Sequence, residues 1–310
     1  MELEMITESV GFLTTRVKVG VVSKDKSCVL IDSGLDSSTG KKILSKLRRE
    51  GLNVVGIIDT HSHADHYGGT AFIQERTGAR VYASAIEAAI IENPVLEPIY
   101  FAGGAHPPME LRNKFMMGKA CRVDQIVEEG PFEVGSIPLE IVGLPGHSPQ
   151  QIGVIAEGVM FCADSVFPTD VLEKHGILFL HNLGDFRNSL EKLLGTSCDH
   201  FLPSHGELTN RKELGRMVQA NLSSTERVEE IILESLDSPR PVDRLIAMVL
   251  NRHGMRIESY SDYHLFSSTI KAYLTYLQEV GRIEFRVKGN LPTVTRSGGK
   301  RVEDLESKIS

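Results

Sequence analysis

Up to about residue 207 the apolar positions fall into short blocks separated by polar, glycine-containing stretches. Residues 20–22 and Ser27–Ile31 read as paired strands, 54–58 and Arg80–Ala83 as further strands, 139–142 as an apolar strand candidate and 154–161 as another apolar run. Helical spacing appears over 38–50, stopped by Gly51, and over 69–76, closed by Thr77 and Gly78. Strand and helix therefore alternate, as in α/β chains. Residues 86–130 break this rhythm with Pro94, Pro98, Gly103-Gly104, Pro107-Pro108 and the run from Lys114 to Lys119. Segments this long are commonly functional. The stretch reads as an insertion folding over a cleft, with Tyr100, Phe101, Phe115, Met116 and Met117 as wall. The other reading is a helical flap that packs the same residues as core, and His106 is not taken as a ligand. After Leu208 the pattern turns helical, over 224–236, 241–252 and 267–280, followed by Gly281-Arg282-Ile283-Glu284-Phe285 and a Gly289-Asn290 turn.

Charge changes where this pattern changes. Residues 1–207 carry 18 Lys and Arg against 27 Asp and Glu, and residues 208–310 carry 16 against 14. A boundary is expected near Leu208, dividing 1–207 from 208–296, with 297–310 as a mobile tail. An acidic first part argues against a large polyanionic substrate. No apolar run is long enough to span a membrane, and the start lacks the basic and apolar regions of a signal peptide. Cys28, Cys121, Cys162 and Cys198 are scattered, as expected of free thiols in a reducing, cytoplasmic setting.

The densest chemistry follows the strand at 54–58. Residues 61–69 read His-Ser-His-Ala-Asp-His-Tyr-Gly-Gly, placing His61, His63, Asp65 and His66 at the end of a buried strand. Imidazole and carboxylate together suit zinc, iron or manganese. Three later segments repeat the theme of a ligand-type residue just past an apolar run: Pro145-Gly146-His147, Cys162-Ala163-Asp164 and Ser204-His205-Gly206. Cys162 itself reads as core. Asp32 and Asp59 are the carboxylates expected to orient imidazoles, or else to cap local turns.

His-x-His-x-Asp-His, Pro-Gly-His, a lone Asp and Ser-His-Gly, in this order, resemble the metallo-β-lactamase superfamily from about Thr14 to Glu207; Ile31-Asp32-Ser33-Gly34 resembles its early strand-turn signature. The resemblance implies a four-layer αββα sandwich. It also implies two divalent metal ions, zinc first: His61, His63 and His147 on one, Asp65, His66 and His205 on the other, and Asp164 bridging. Asp65 and Asp164 would be the catalytic carboxylates, and a metal-bridging hydroxide would attack the substrate. Metallo-β-lactamases proper usually lack the bridging Asp. Related lactonases place Tyr where this chain has Phe167, and flavodiiron proteins place an acid where it has His63. Asp164-Ser165-Val166-Phe167 is similar to the Asp-Thr-Leu-Phe of glyoxalase II-like thioesterases, although the glutathione-holding Gly-Cys-Gly and Lys of that family are absent. The implied activity is hydrolysis of a small ester- or thioester-like substrate.

Two alternatives stand beside it, a persulfide dioxygenase-like enzyme with a single iron and a metal-dependent endoribonuclease. For the latter, His175 or His181 would donate a proton to the leaving group. The C-terminal helices and turn resemble the winged-helix domain attached to some members. Arg282, Arg286, Lys288, Arg296, Lys300 and Arg301, against Glu284 alone, would make a basic wing able to track RNA. The other reading of that domain is a docking or homodimerisation module.

Overall fold

The structure, a computed structural model, describes residues 1–297. Of the tail expected over 297–310, all but Ser297 lies outside the described residues, as do Lys300 and Arg301.

The first sheet holds β1 (Leu3–Met5), β2 (Val10–Thr14), β3 (Lys18–Lys24), β4 (Ser27–Ile31), β5 (Asn53–Ile58), β6 (Arg80–Ala83) and β7 (Gln125–Ile126), in that order. β1 to β4 form an antiparallel meander, whereas β4 to β7 run parallel. The parallel pairs need crossovers. These are α1 (Ser37–Arg49), then α2 (Ala64–Tyr67) with α3 (Thr70–Thr77), then α4 (Ala85–Glu92) and α5 (Leu96–Phe101). The second sheet holds β8 (Gly130–Val134), β9 (Ile137–Gly143), β10 (Ile152–Ala156), β11 (Val159–Ala163), β12 (His200–Pro203) and β13 (Thr209–Asn210), in reverse spatial order from β13. α6 (Thr169–His175) and α7 (Leu183–Gly195) connect β11 to β12, which lie parallel.

Side chains alternate across each strand, and this sorts the apolar residues into layers. On β4, Cys28 and Leu30 pack with Ile43, Leu44 and Leu47 of α1, while Val29 and Ile31 face the second sheet through Ile141, Val154 and Phe161. The outer face of the second sheet, through Val142, Met160 and Phe201, packs on helices. Four layers result, helix, sheet, sheet, helix, as the motif resemblance implied.

That last apolar layer continues past Leu208. Leu214, Val218, Ile232, Leu245, Val249, Ile270 and Leu274 belong to the same cluster as Met160 and Phe186. They come from α8 (Arg211–Glu234), α9 (Val242–Arg252) and α10 (Tyr260–Glu279). A three-stranded sheet follows from β14 (Arg240–Pro241), β15 (Ile283–Lys288) and β16 (Leu291–Arg296), with β16 central. The charge change at Leu208 thus coincides with no gap in the core.

Three sequence expectations are corrected. The apolar run 154–161 is two strands: Glu157 (φ 47°) and Gly158 (φ 76°) form a two-residue turn between paired Ala156 and Val159. Two successive positive φ values define the tight hairpin turn that suits strand twist, and the Glu-Gly pair between the two apolar strands is its sequence mark. α8 begins at Arg211, not 224, because Asn210 caps it by accepting from the Glu213 N–H at 3.0 Å. α10 begins at Tyr260, not 267, with Ser259 accepting from the Asp262 N–H at 3.0 Å. The polar residues that interrupted the helical pattern in α8 are themselves buried. Asn221 donates to the Phe167 carbonyl at 2.7 Å and accepts its N–H at 3.1 Å, tying α8 to the segment after Asp164. Asn221→Ala would leave both Phe167 backbone groups unpaired, a loss of about 2–4 kcal/mol in unfolding free energy. Urea denaturation of the variant measures it.

Candidate metal centre

The cluster sits where strand ends of both sheets meet. β5 ends at Ile58 and the chain turns through Asp59 and Thr60 into His61; β9, β11 and β12 run into the segments carrying His147, Asp164 and His205. Gly68 and Gly69 let the motif loop lie directly on the 33–35 backbone. A Cβ on Gly68 would stand 1.9 Å from the Leu35 carbonyl oxygen, and one on Gly69 would stand 2.4 Å from that of Ser33.

All seven residues singled out by sequence converge here. His61 Nε2 and His147 Nε2 lie 3.1 and 2.9 Å from His63 Nδ1. Nitrogens bound 2.0–2.1 Å from one tetrahedral zinc stand about 3.3 Å apart, close to this spacing. Asp65, His66 and His205 form a second group. Asp164 lies between them, with Oδ2 3.4 Å from His147 Nε2 and 3.2 Å from His205 Nε2, and Oδ1 3.6 Å from His66 Nε2. His61, His66, His147 and Asp164 are buried, and Asp65 and His205 are partly open.

Hydrogen bonds on the far sides of the rings set which nitrogen faces inward. The Phe179 carbonyl only accepts, so His147 Nδ1 carries the proton it donates at 3.0 Å, and Nε2 turns a lone pair to the cluster. Asp32 does the same for His66 through Nδ1 at 2.7 Å, and it also accepts from the Thr60 N–H and hydroxyl. Burial holds His63 down to about 4 and His147 to about 3, and pushes His61 down as well, so the three rings are neutral. Burial would lower His66, but the Asp164 and Asp32 carboxylates raise it well above the usual imidazole range, and Asp164 raises His205. Despite its burial, Asp164 is in turn held well below the usual carboxylate range by these two rings. His66 Nε2 and Asp164 Oδ1 are buried and lack any hydrogen-bond partner among the described residues. Buried polar atoms are seldom left so. Two orphaned, inward-facing atoms beside the neutral His61, His63 and His147 rings fit a cation, which would take the place of the proton that the carboxylates otherwise draw onto His66.

Asp59 departs from its expected role. It accepts from the Thr70 hydroxyl at 2.7 Å and hydrogen-bonds no imidazole; of the two carboxylates, Asp32 is the one that orients a ring of the cluster. His175 and His181 are exposed, and neither ring hydrogen-bonds the cluster. From the insertion, Phe101 stands 5.6 Å from Phe179, whose ring lies 5.4 Å from His63. Phe115 lies under Arg16, which reaches Asp65 at 3.6 Å, and Tyr67 accepts from the Gly118 N–H.

Glu87, on α4 of the insertion, was not legible in advance. Fully buried, it accepts from the Ser62 N–H and hydroxyl at 2.9 and 2.6 Å through Oε2, and from the Ser148 hydroxyl and the Gln150 N–H at 2.8 Å each through Oε1. One carboxylate therefore fastens the His61–His63 loop of one sheet to the His147 loop of the other. Its single sequence signal is an acid inside the apolar run Ala85-Ile86-Glu87-Ala88-Ala89-Ile90.

Residues 15–205 match the family described as the metallo-beta-lactamase superfamily. The chain belongs to this superfamily, and its curated relatives are named as hydrolases. It is 26% identical over 175 residues to a hydroxyacylglutathione hydrolase of Vibrio cholerae, covering 56% of this chain and 54% of that one. The chain thus spans about half the length of that relative. It is 22% identical over 298 residues to an atrochrysone carboxyl ACP thioesterase of Pseudocercospora fijiensis, covering 93% of this chain and 78% of the relative. A beta-lactamase domain protein from Burkholderia ambifaria shares the fold at a TM-score of 0.74 and 17% identity, over 95% of this chain and 94% of the other.

Because Glu87 holds both ligand-bearing loops, Glu87→Gln is expected to weaken metal binding about 10- to 100-fold with the fold intact. Competition against a chromogenic chelator would report it. Unchanged affinity would reduce Glu87 to a packing role.

Proposed function

We propose that this cluster holds two divalent cations, zinc in the first instance, and that the protein hydrolyses a small ester- or thioester-like substrate. His61, His63 and His147 would hold one cation, Asp65, His66 and His205 the other, and Asp164 both. The observation that carries the reading is the position of Asp164, within 3.2–3.6 Å of imidazole nitrogens belonging to both groups and with one oxygen otherwise unpartnered.

Cations so placed would supply an ionisable water near neutral pH and polarise the substrate oxygen. The chain's own residues do the rest. Asp32, the Phe179 carbonyl and Glu87 fix ring orientation and loop position, so little reorganisation accompanies turnover. Phe167 stands 5.6 Å from His147 and stacks at 6.3 Å on His205. With Phe179 it makes the surface beside the imidazoles apolar, suited to an acyl group and hostile to a second polyanion. A cavity of about 450 Å³ opens at His205, bordered by Pro168, Thr169, Asp170, Glu207 and Met217. Its size lies within the roughly 300–1,000 Å³ of small-ligand sites. A thiolate leaves without strong acid assistance, consistent with histidines 175 and 181 standing clear of the cluster. The relatives named as a hydroxyacylglutathione hydrolase and an ACP thioesterase support ester or thioester chemistry, while Pro168-Thr169-Asp170-Val171 gives no basis for glutathione as the thiol. We also read 208–296 as winged-helix-like, supported by helices α8 to α10 with the small sheet and hairpin that complete them.

Thiol release from a panel of acyl thioesters by zinc-loaded protein tests the reading. Asp164→Asn is expected to lower turnover about a thousandfold, several kcal/mol of barrier, with the fold retained. Near-native turnover by that variant, or no release from any thioester or ester, would overturn it.

A further inference from the structure

β15 is an edge strand: in the order β14-β16-β15 it pairs only with β16 among the described residues. Residues 284–288 are all exposed, and they include large apolar side chains, Phe285 at 38% and Val287 at 77% exposed. An open edge with apolar side chains is a template for another strand, and proteins that avoid such pairing shorten, bend or cover the edge. Among the described residues none of these applies: the strand has six residues in regular register with β16 from Ile283 to Lys288. Its charges are the one blunting device present, and their spacing is self-complementary.

We propose that the outer edge of β15 seats a second copy of this chain, the two strands pairing antiparallel about a two-fold axis at Phe285. In that register Phe285 meets the partner's Phe285 and Glu284 meets the partner's Arg286, the latter pair occurring twice. Val287 falls opposite the partner's Ile283, whose side chain is already buried in its own core, and Lys288 falls opposite the partner's Arg282 at each end. Directly opposite residues share a face, so apolar pairs fall on one side and ion pairs on the other. Sliding the partner by two residues sets Glu284 against the partner's Glu284, or Arg286 against the partner's Arg286. A slide by one residue turns apolar side chains onto the charged face. Of the registers that keep apolar side chains on one face, the Phe285-centred one alone sets no like charges opposite each other within 284–286, although the slide that opposes Arg286 to the partner's Arg286 also pairs Glu284 with the partner's Lys288. Within one chain Arg286 already reaches Glu284 at 2.8 Å, so both side chains stand over the strand where a neighbour would meet them. This inference concerns the hairpin and is independent of the reaction assigned to the metal cluster.

A six-residue edge buries less than the roughly 1,200 Å² of a standard stable interface. Association is therefore concentration-dependent, and sedimentation velocity of the full chain across about 5–200 µM covers the range. The native protein is expected to shift from monomer to dimer mass. Glu284→Arg and Arg286→Glu, each confirmed folded by circular dichroism, should each remain monomeric, because every cross-strand ion pair becomes a like-charge pair. An equimolar mixture of the two variants should regain the dimer, since each facing pair then joins an arginine with a glutamate. A native chain that stays monomeric throughout overturns the proposal, including the case in which it instead retains single-stranded RNA on this hairpin. Native dimers that persist unchanged in both variants, or variants that fail to associate when mixed, overturn it equally.

Discussion

Gathering seven ligand-type side chains, four of them buried, at the mouth of a hydrophobic sandwich is the constraint on which the rest of this structure turns. Polar groups removed from water cost several kcal/mol unless each finds a partner. From outside the cluster, one carboxylate partners a ligand-type ring and another holds the loops that carry the ligands. Asp32 gathers the Thr60 backbone, the Thr60 hydroxyl and His66. Glu87 gathers Ser62, Ser148 and Gln150. The atoms left over, His66 Nε2 and Asp164 Oδ1, point inward, where a cation completes the set.

The sandwich explains why those atoms meet at all. Parallel strands β4, β5 and β6 end on one side of the first sheet, and β11 and β12 end alongside each other in the second. Stacking the sheets brings those ends together, so loops distant in sequence share one cleft. The insertion then serves two purposes. α4 carries the Glu87 clamp, while α5 and the 113–118 segment supply Phe101 and Phe115 around the entrance.

The C-terminal helices are bound into the same molecule by an apolar layer and by one buried amide. Asn221 holds the backbone of Phe167, three residues from Asp164 and against the rings of His147 and His205. A helix that carries no ligand-type residue of the cluster thereby steadies the wall of the cleft. Beyond it, the β15–β16 hairpin leaves that core and presents an unshared edge.

The ligand-type residues could be recognised because each lies within a few positions of a strand end, a local relation that hydrophobic patterning reveals. The same patterning located α1 to within a residue, since its cap Asp36 and its apolar face are adjacent in sequence. It failed at Glu157-Gly158, a polar residue and a glycine that mark a turn between two apolar strands, and at the first half of α8, whose buried face includes the polar Asn221. It could not distinguish Asp32, which holds an imidazole, from Asp59, which holds Thr70, nor single out Glu87. Those choices depend on which groups come within 3 Å after the sheets stack, across separations of 11 to 63 residues. Sequence alone determined the donor chemistry and the period of each element; tertiary structure decided the partners, because hydrogen bonds act only at contact and contact is made by the fold.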